Sequence, residues 1–371
     1  MDGVRQSVSN GILLSLIGAI GFTAASLLFM RPLLHLMNTP ENIFAQAYEY
    51  ISLISLGMVA NVFYNLFSSY LRAVGNSRMP LVFLVLSACL NVVLDLILII
   101  NFKMGVAGAA WATNLSQAIS AVLCAVYIYK KVPALMPEKR HWRFHKGDTR
   151  YQLATGIPMA LQFAITSSGT MVMQSAINLF GSEAVAAYTA AGKIHGLLTQ
   201  GMVAMGQTMA VYSGQNYGKG DAGRIRQGVR AALIIEVIYS VASAVVVSAA
   251  LGPSLGLFFS GEVDLAAMMP WARTYTTICT LFYVPLCTIF IFRNTMQGCG
   301  YGFLPMMGGV VELAARLIVA VIAMDIHSYW LACACDPAAW VGAGLFTGIS
   351  YLYIIKKIEK NLGKGTAVHK S

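Results

Sequence analysis

Charge is what this sequence has least of. Asp, Glu, Lys and Arg make up 11% of its 371 residues and hydrophobic residues 57%, with a mean hydropathy of +0.68; a soluble domain carries roughly 25% charged and about 45–50% apolar residues. A water-soluble globule is excluded. Acidic residues are scarcer still, 15 against 25 Lys and Arg, and so little charge also excludes a disordered chain. Seven cysteines, an odd number scattered through apolar runs, do not make a disulfide scaffold. The alternating segments of about ten residues that build an outer-membrane barrel are missing as well. Instead the apolar stretches run past about eighteen residues, the length at which a helix crosses a bilayer. What remains is an all-α polytopic membrane protein.

Ten apolar stretches, each ended by Pro, Gly or charge, predict ten transmembrane helices: 9–30, 44–70, 80–100, 105–129, 152–180, 184–212, 231–252, 267–292, 303–324 and 338–355. Twenty of the 25 Lys and Arg fall in one alternate set of loops: Arg5, Arg72 and Arg78, the seven from Lys130 to Arg150, Lys219 to Arg230, Arg293, and the tail lysines from Lys356 to Lys370. By the positive-inside rule both termini lie in the cytoplasm, in a cell (inner) membrane. The basic excess is thereby topological, and no nucleic-acid partner is needed. The expected organisation is an N-lobe over 1–130 with four spans, a basic cytoplasmic linker over 131–150, a six-span C-lobe over 151–357 and a cytoplasmic tail over 358–371.

An internal repeat accounts for this division. Arg5-Gln6-Ser7-Val8 opens the first span and Arg226-Gln227-Gly228-Val229 the seventh; Gly75 and Pro80 precede the third, Gly300 and Pro305 the ninth. Ala109-Ala110-Trp111 leads into the fourth span as Ala338-Ala339-Trp340 leads into the tenth. Three matches in one order at nearly constant separation indicate a duplication. Both copies start on the cytoplasmic side, so the two pseudo-symmetric lobes are parallel repeats. Spans five and six have no counterpart in the first copy, so a six-span repeat is implied and the chain as given is expected to lack two N-terminal helices.

Few side chains carry chemistry. Asp95 is the acid deepest in an apolar run, and a carboxylate there costs roughly 2.5–3.5 kcal/mol on insertion scales, so it needs a partner or a task. Asn91 lies one turn earlier on the same face, and the two offer oxygens suited to a hard cation. The structural alternative is an Asp that fixes helix packing. Glu312 and Arg316, spaced i, i+4, form an ion pair within the ninth span. Glu236 is placed near the cytoplasmic interface. Lys193 and His195 are read as packed polar residues. Gly214, Gly218 and Gly220 form a turn, not a phosphate loop, because no strand precedes them and no G-K-[ST] follows. Cys333 and Cys335, placed in an external loop, lack a second ligand pair for zinc. No metal site, cofactor or catalytic grouping is expected, so the chain is not read as an enzyme.

The stretches LRAVGNSRMP (71–80), LNVVLDLILI (90–99), GVAGAAWATNLSQ (105–117), GIPMALQ (156–162), AVAAYTAAGKI (184–194) and GQNYGKGDAGRIRQGV (214–229) resemble the multidrug and toxic-compound extrusion (MATE) transporters. The resemblance covers nearly the whole chain in family order. It implies two six-helix lobes around a central cavity and alternating access. It also implies export of small organic cations in exchange for Na⁺ or H⁺, by a monomer in the lipid bilayer. Asn65, Asn91, Asp95 and Thr113 match the family's N-lobe cation site. The acids that one branch of the family places on its seventh and tenth helices have no counterpart here, which disfavours coupling through the C-lobe. Gln162, Met171, Met173, Gln174, Met202, Met205 and Tyr283 lie on spans that line the family cavity. A lipid-linked oligosaccharide flippase of the same superfamily, or an inactive shortened transporter, is the alternative. The flippase should present a strongly basic cavity, whereas only Lys193, Arg316 and Arg273 fall within or near the ends of spans.

Overall fold

The computed structural model describes residues 2–36, 39–258 and 265–368. Among them every regular element is helical: α1 (Asp2–Leu36), α2 (Glu41–Leu56), α3 (Met58–Ala73), α4 (Arg78–Asp95), α5 (Gly105–Lys131), α6 (Lys146–Asn178), α7 (Ser182–Gly218), α8 (Ala222–Phe258), α9 (Leu265–Leu281), α10 (Tyr283–Gly298), α11 (Phe303–Asp325), α12 (Tyr329–Cys333) and α13 (Cys335–Val368). A π-helical turn over Leu96–Asn101 extends α4, and two 3₁₀ turns follow α5. Each of the ten apolar stretches lies on one helix or one bent pair. Six helices are long and apolar enough to cross a membrane, and the bent pairs α2–α3 and α9–α10 raise that number to eight among the described residues. Helices α6 and α7 are 33 and 37 residues long, but their Ser, Thr, Gln and Gly dilute the apolar pattern. The chain is a multi-pass membrane protein.

Two compact units divide it, residues 1–152 and 153–371, with the boundary inside α6. In the first unit α5 packs on α2, α3 and α4, and α1 on α2 and α3. Segment 131–150, expected as a basic linker, is packed against the start of α1. Leu135 and His141 are buried. Ser9 Oγ donates to the His141 carbonyl at 2.7 Å, and Asn10 Oδ1 accepts from Thr149 Oγ1 at 2.9 Å. Arg5 pairs with Glu138, and Arg140 with Asp2. The charges that mark a loop in the sequence fasten it to the start of α1. In the second unit α7 packs on α10 and α13 on α10 and α11. Close approach depends on small residues: a Cβ on Gly298 would fall 2.1 Å from the Ala210 carbonyl oxygen. The tail expected from residue 358 instead continues α13 as far as Val368, with Ile358 buried. Residues 369–371 of that tail, Lys370 among them, lie outside the described residues.

Stretches that the sequence pairs close alike. Gly75 and Gly300 both adopt positive φ, 87° and 84°, which L side chains resist. The next amide in each turn reaches back over the helix end, Asn76 to the Leu71 carbonyl at 2.9 Å and Tyr301 to the Met296 carbonyl at 3.0 Å. Arg5 opens one copy and Arg226 the other, and each pairs with a glutamate 133 residues further on, Glu138 and Glu359. The bent pairs stand second in both copies, α2–α3 after α1 and α9–α10 after α8. Their causes differ. The 42° bend of α2–α3 sits at Gly57, where Asn114 of α5 donates from Nδ2 to the Leu53 carbonyl at 2.7 Å. The 50° bend of α9–α10 precedes Pro285, which has no N–H to give the preceding turn and whose ring crowds its carbonyl.

Candidate functional site

In the first unit the site is built where α4 meets α5. Asp95 ends the α-helical part of α4, directly before the π-helical turn; such turns are rare and frequent at functional sites. Lys103 and Gly105, at φ 56° and 55°, then reverse the chain into α5. That hairpin brings Asn91 against Thr113, whose Oγ1 accepts from Asn91 Nδ2 at 3.4 Å and itself donates to the Ala109 carbonyl at 3.0 Å. Asp95 lies one turn beyond Asn91, and its buried Oδ1 accepts no hydrogen bond from any described residue. Asn65 stays on α3, where its Nδ2 donates to the Asn61 carbonyl and Oδ1 at 2.9 and 3.0 Å. Two of the four sequence-matched residues thus meet, a third presents an unpartnered oxygen beside them, and the fourth bonds within its own helix. Gln117, one turn along α5 from Thr113, holds a further buried oxygen without a partner. The same i, i+4 spacing that links Asn91 to Asp95 was the available signal for it.

The same unit has an apolar cleft of about 520 Å³ whose lining includes Phe63, Phe67 and Trp111, with Asn114 as a polar edge. None of the residues assigned to a cavity from sequence lines it.

Those residues lie in the second unit, and most are packed. Met173 and Met202 are fully buried in its core and Tyr283 is nearly so. Gln162 Oε1 accepts from Gln297 Nε2 at 2.9 Å, and Gln174 Nε2 donates to Asn178 Oδ1 at 2.9 Å. Met205 is half-buried, and Met171 is exposed. Met173, Met202 and Tyr283 share that core with small residues, Ala176, Ala184, Ala187 and Ala191 among them.

Glu312 and Arg316 meet at 3.4 Å, within a larger set. Arg293 of α10 reaches Glu312 at 3.1 Å, and Asp336 of α13 accepts from Arg316 Nε at 2.7 Å. The order Arg293–Glu312–Arg316–Asp336 alternates in sign and sums to zero, which makes burial tolerable. Gly169 of α6 admits the Arg316 side chain, since a Cβ there would stand 2.9 Å from Nη1. Sequence reading missed Arg293 and Asp336 by assigning them to loops. Asp336 stands in the first turn of α13, and Cys333 and Cys335, expected in an external loop, are buried at the end of α12 and the start of α13. His195 is packed as well: its Nδ1 lies 2.8 Å from the Tyr283 hydroxyl, and its ring stacks on Trp340 at 5.7 Å.

The profile of the MatE family matches residues 1–97 and 158–322. The chain is 34% identical over 209 residues to the probable multidrug resistance protein YpnP of Bacillus subtilis (strain 168), covering 56% of this chain and 46% of that protein. To the probable multidrug resistance protein NorM of Thermotoga maritima it is 25% identical, covering 91% and 72%. The chain spans about half the length of the first curated relatives it matches. A solved structure described as the outward-facing conformation of a multidrug resistance MATE family transporter of the MOP superfamily superposes with a TM-score of 0.85. That match has 21% identity and covers 97% of this chain and 80% of that one, so it speaks for the fold. With the matched profile covering well over half of the residues, the chain belongs to the MatE family of membrane transporters.

Proposed function

We propose that this protein is a secondary active antiporter that exports amphiphilic organic cations by alternating access, in exchange for Na⁺ or H⁺. In this reading ten spans form a four-span and a six-span lobe, both termini face the cytoplasm, and the protein works as a monomer in the cell membrane. The relatives named as multidrug resistance proteins support the cargo class. The observation that carries the coupling is Asp95, a carboxylate in an apolar helix with a buried oxygen that no described side chain satisfies. A cation arriving there supplies the missing partner, with Asn91, Thr113 and, after a movement of α3, Asn65 as neutral ligands. A strongly basic cavity, which a pyrophosphate-linked cargo would require, has no support in the second unit, where Arg293 and Arg316 are neutralised by Glu312 and Asp336.

The test is efflux of a fluorescent organic cation from proteoliposomes holding the full chain, with a Na⁺ or a proton gradient imposed separately. One gradient should drive efflux, and Asp95→Asn should abolish that dependence while leaving insertion intact. Normal gradient-driven efflux by the variant removes Asp95 from the coupling role; absence of efflux from the wild-type chain under both gradients removes the antiporter reading.

A further inference from the structure

Helix α8 is inside out relative to a helix in water. Its buried stripe runs Ile225, Val229, Ala232, Glu236, Ser240, Ser243, Val247 and Leu251, while Ile234, Ile235, Ile238, Val241 and Val245 of the other face are all more than half exposed. A helix in hydrocarbon hides its polar side chains this way. At the centre of the stripe stands Glu236, placed from sequence near the cytoplasmic interface; it is 2% exposed and lies several turns inside α8.

Glu236 Oε2 accepts no hydrogen bond from any described residue, and neither does Ser240 Oγ, one turn further on the same face. The Cys287 thiol of α10 faces both, but it donates to the Val284 carbonyl at 3.1 Å. Charged groups on the surrounding helices are engaged or distant. On α8 itself Arg226 pairs with Glu359 of α13 at the helix start, and Arg230 is exposed. Tyr239 of α8 donates to the Leu198 carbonyl of α7, which sets Lys193 of α7 more than a turn beyond that level. Arg273 of α9 borders a cleft with Ser248, Gly252 and Pro253, turns further along α8. Tyr283 of α10 bonds His195.

An ionised carboxylate here would hold a desolvated Oε2 with no counter-charge among the described groups that face it, a state that buried acids escape by taking up a proton. The Glu236 carboxylate and one hydroxyl, with a sulfur beside them, offer too few oxygens for Na⁺, which like other hard cations wants a shell of them. We infer that Glu236 is a proton-carrying carboxyl of the second unit, protonated in this conformation and discharging to water when α8 and α10 part. Only the Glu236 O–H bond forms and breaks; the proton comes from water and returns to it. The use of that proton in transport rests on the antiporter reading above, whereas its presence on Glu236 does not.

The experiment is infrared difference spectroscopy of the full chain in lipid bilayers at neutral pH, comparing wild type with Glu236→Gln, together with efflux driven by a proton gradient. A protonated-carboxyl C=O band should be present in wild type and absent in Glu236→Gln. The variant should fold as well as wild type, since the amide copies the shape of the neutral acid. Glu236→Met, which removes the group without leaving a polar atom, should lose the same band and serves if the amide variant misfolds. Proton-driven efflux should fall at least tenfold in either variant. The same band in wild type and variants overturns the assignment of the proton; loss of the band with proton-driven efflux at the wild-type rate overturns the carrying role. Wild type driven by Na⁺ and not by protons overturns the carrying role; wild type that exports nothing under either gradient sinks the antiporter reading alone, because the band is read without transport.

Discussion

The cluster where α4 meets α5 in the first unit and the one joining α10, α11 and α13 in the second treat their polar side chains oppositely. Between α4 and α5 the first unit sets one long hydrogen bond, Asn91 to Thr113, and leaves oxygens of Asp95 and Gln117 unpartnered. Around α11 and α13 the second unit closes four charges on one another, from Arg293 through Glu312 and Arg316 to Asp336. A closed network spends its charges on holding helices together. An open one has capacity left for a ligand. Polarity within a span therefore does not distinguish structure from function; the satisfaction of each polar atom does.

The comparison breaks most visibly at the charges. Glu312→Ala would leave Arg293 and Arg316 buried without a counter-charge, and breaking such a set by removing one partner costs about 3–5 kcal/mol. Asp95→Asn removes no described hydrogen bond of Oδ1 and leaves no buried charge uncompensated, so its loss should be well below that of Glu312→Ala. Unfolding in mild detergent, followed by tryptophan fluorescence, measures both. Equal losses in the two variants would show that the first unit's cluster is as structural as the second's.

The helix contacts sharpen the same contrast at intermediate size. On Gly298→Ala the new methyl meets the Ala210 backbone carbonyl at 2.1 Å, which cannot swing aside, and overpacking of this kind costs about 1–3 kcal/mol. On Gly57→Ala it meets the Asn114 side chain at 1.8 Å. That amide can rotate away at the loss of its bond to Leu53, worth about 0.6 kcal/mol on average between membrane helices. The first variant should melt well below the second. The smallest effect belongs to the matched surface pairs. Arg226→Ala breaks a half-exposed contact with Glu359 and should cost about 0–1 kcal/mol, as should Arg5→Ala at its counterpart. Matching losses at the two would show that the copies share their outer fastening and differ within.

Much of the fold is legible in the sequence because hydrocarbon permits so few arrangements of backbone. Each of the ten apolar stretches lies on a helix or a bent pair, and eight of these are long and apolar enough to cross a bilayer among the described residues. The matched Arg5 and Arg226, and Gly75 and Gly300, find matched partners and matched turns. The bends are less legible. Pro285 announces one, but Gly57 announces the other only together with Asn114, which is 57 residues away in the chain. Residues 131–150 read as a basic linker from charge and proline, but the pairing of Arg140 with Asp2 and of Arg5 with Glu138 is a long-range matter that the sequence does not record.

The sequence by itself determined that this is an all-helical membrane protein, with Asp95 and Asn91 on one face of one helix. These follow from composition and from spacing along a single chain. Only the tertiary structure decided that Thr113 meets Asn91 while Asn65 does not, that Glu312 and Arg316 belong to a set of four, and that Glu236 is buried without a partner. A polar atom is satisfied or orphaned by what another helix brings to it, and no property of its own helix records that.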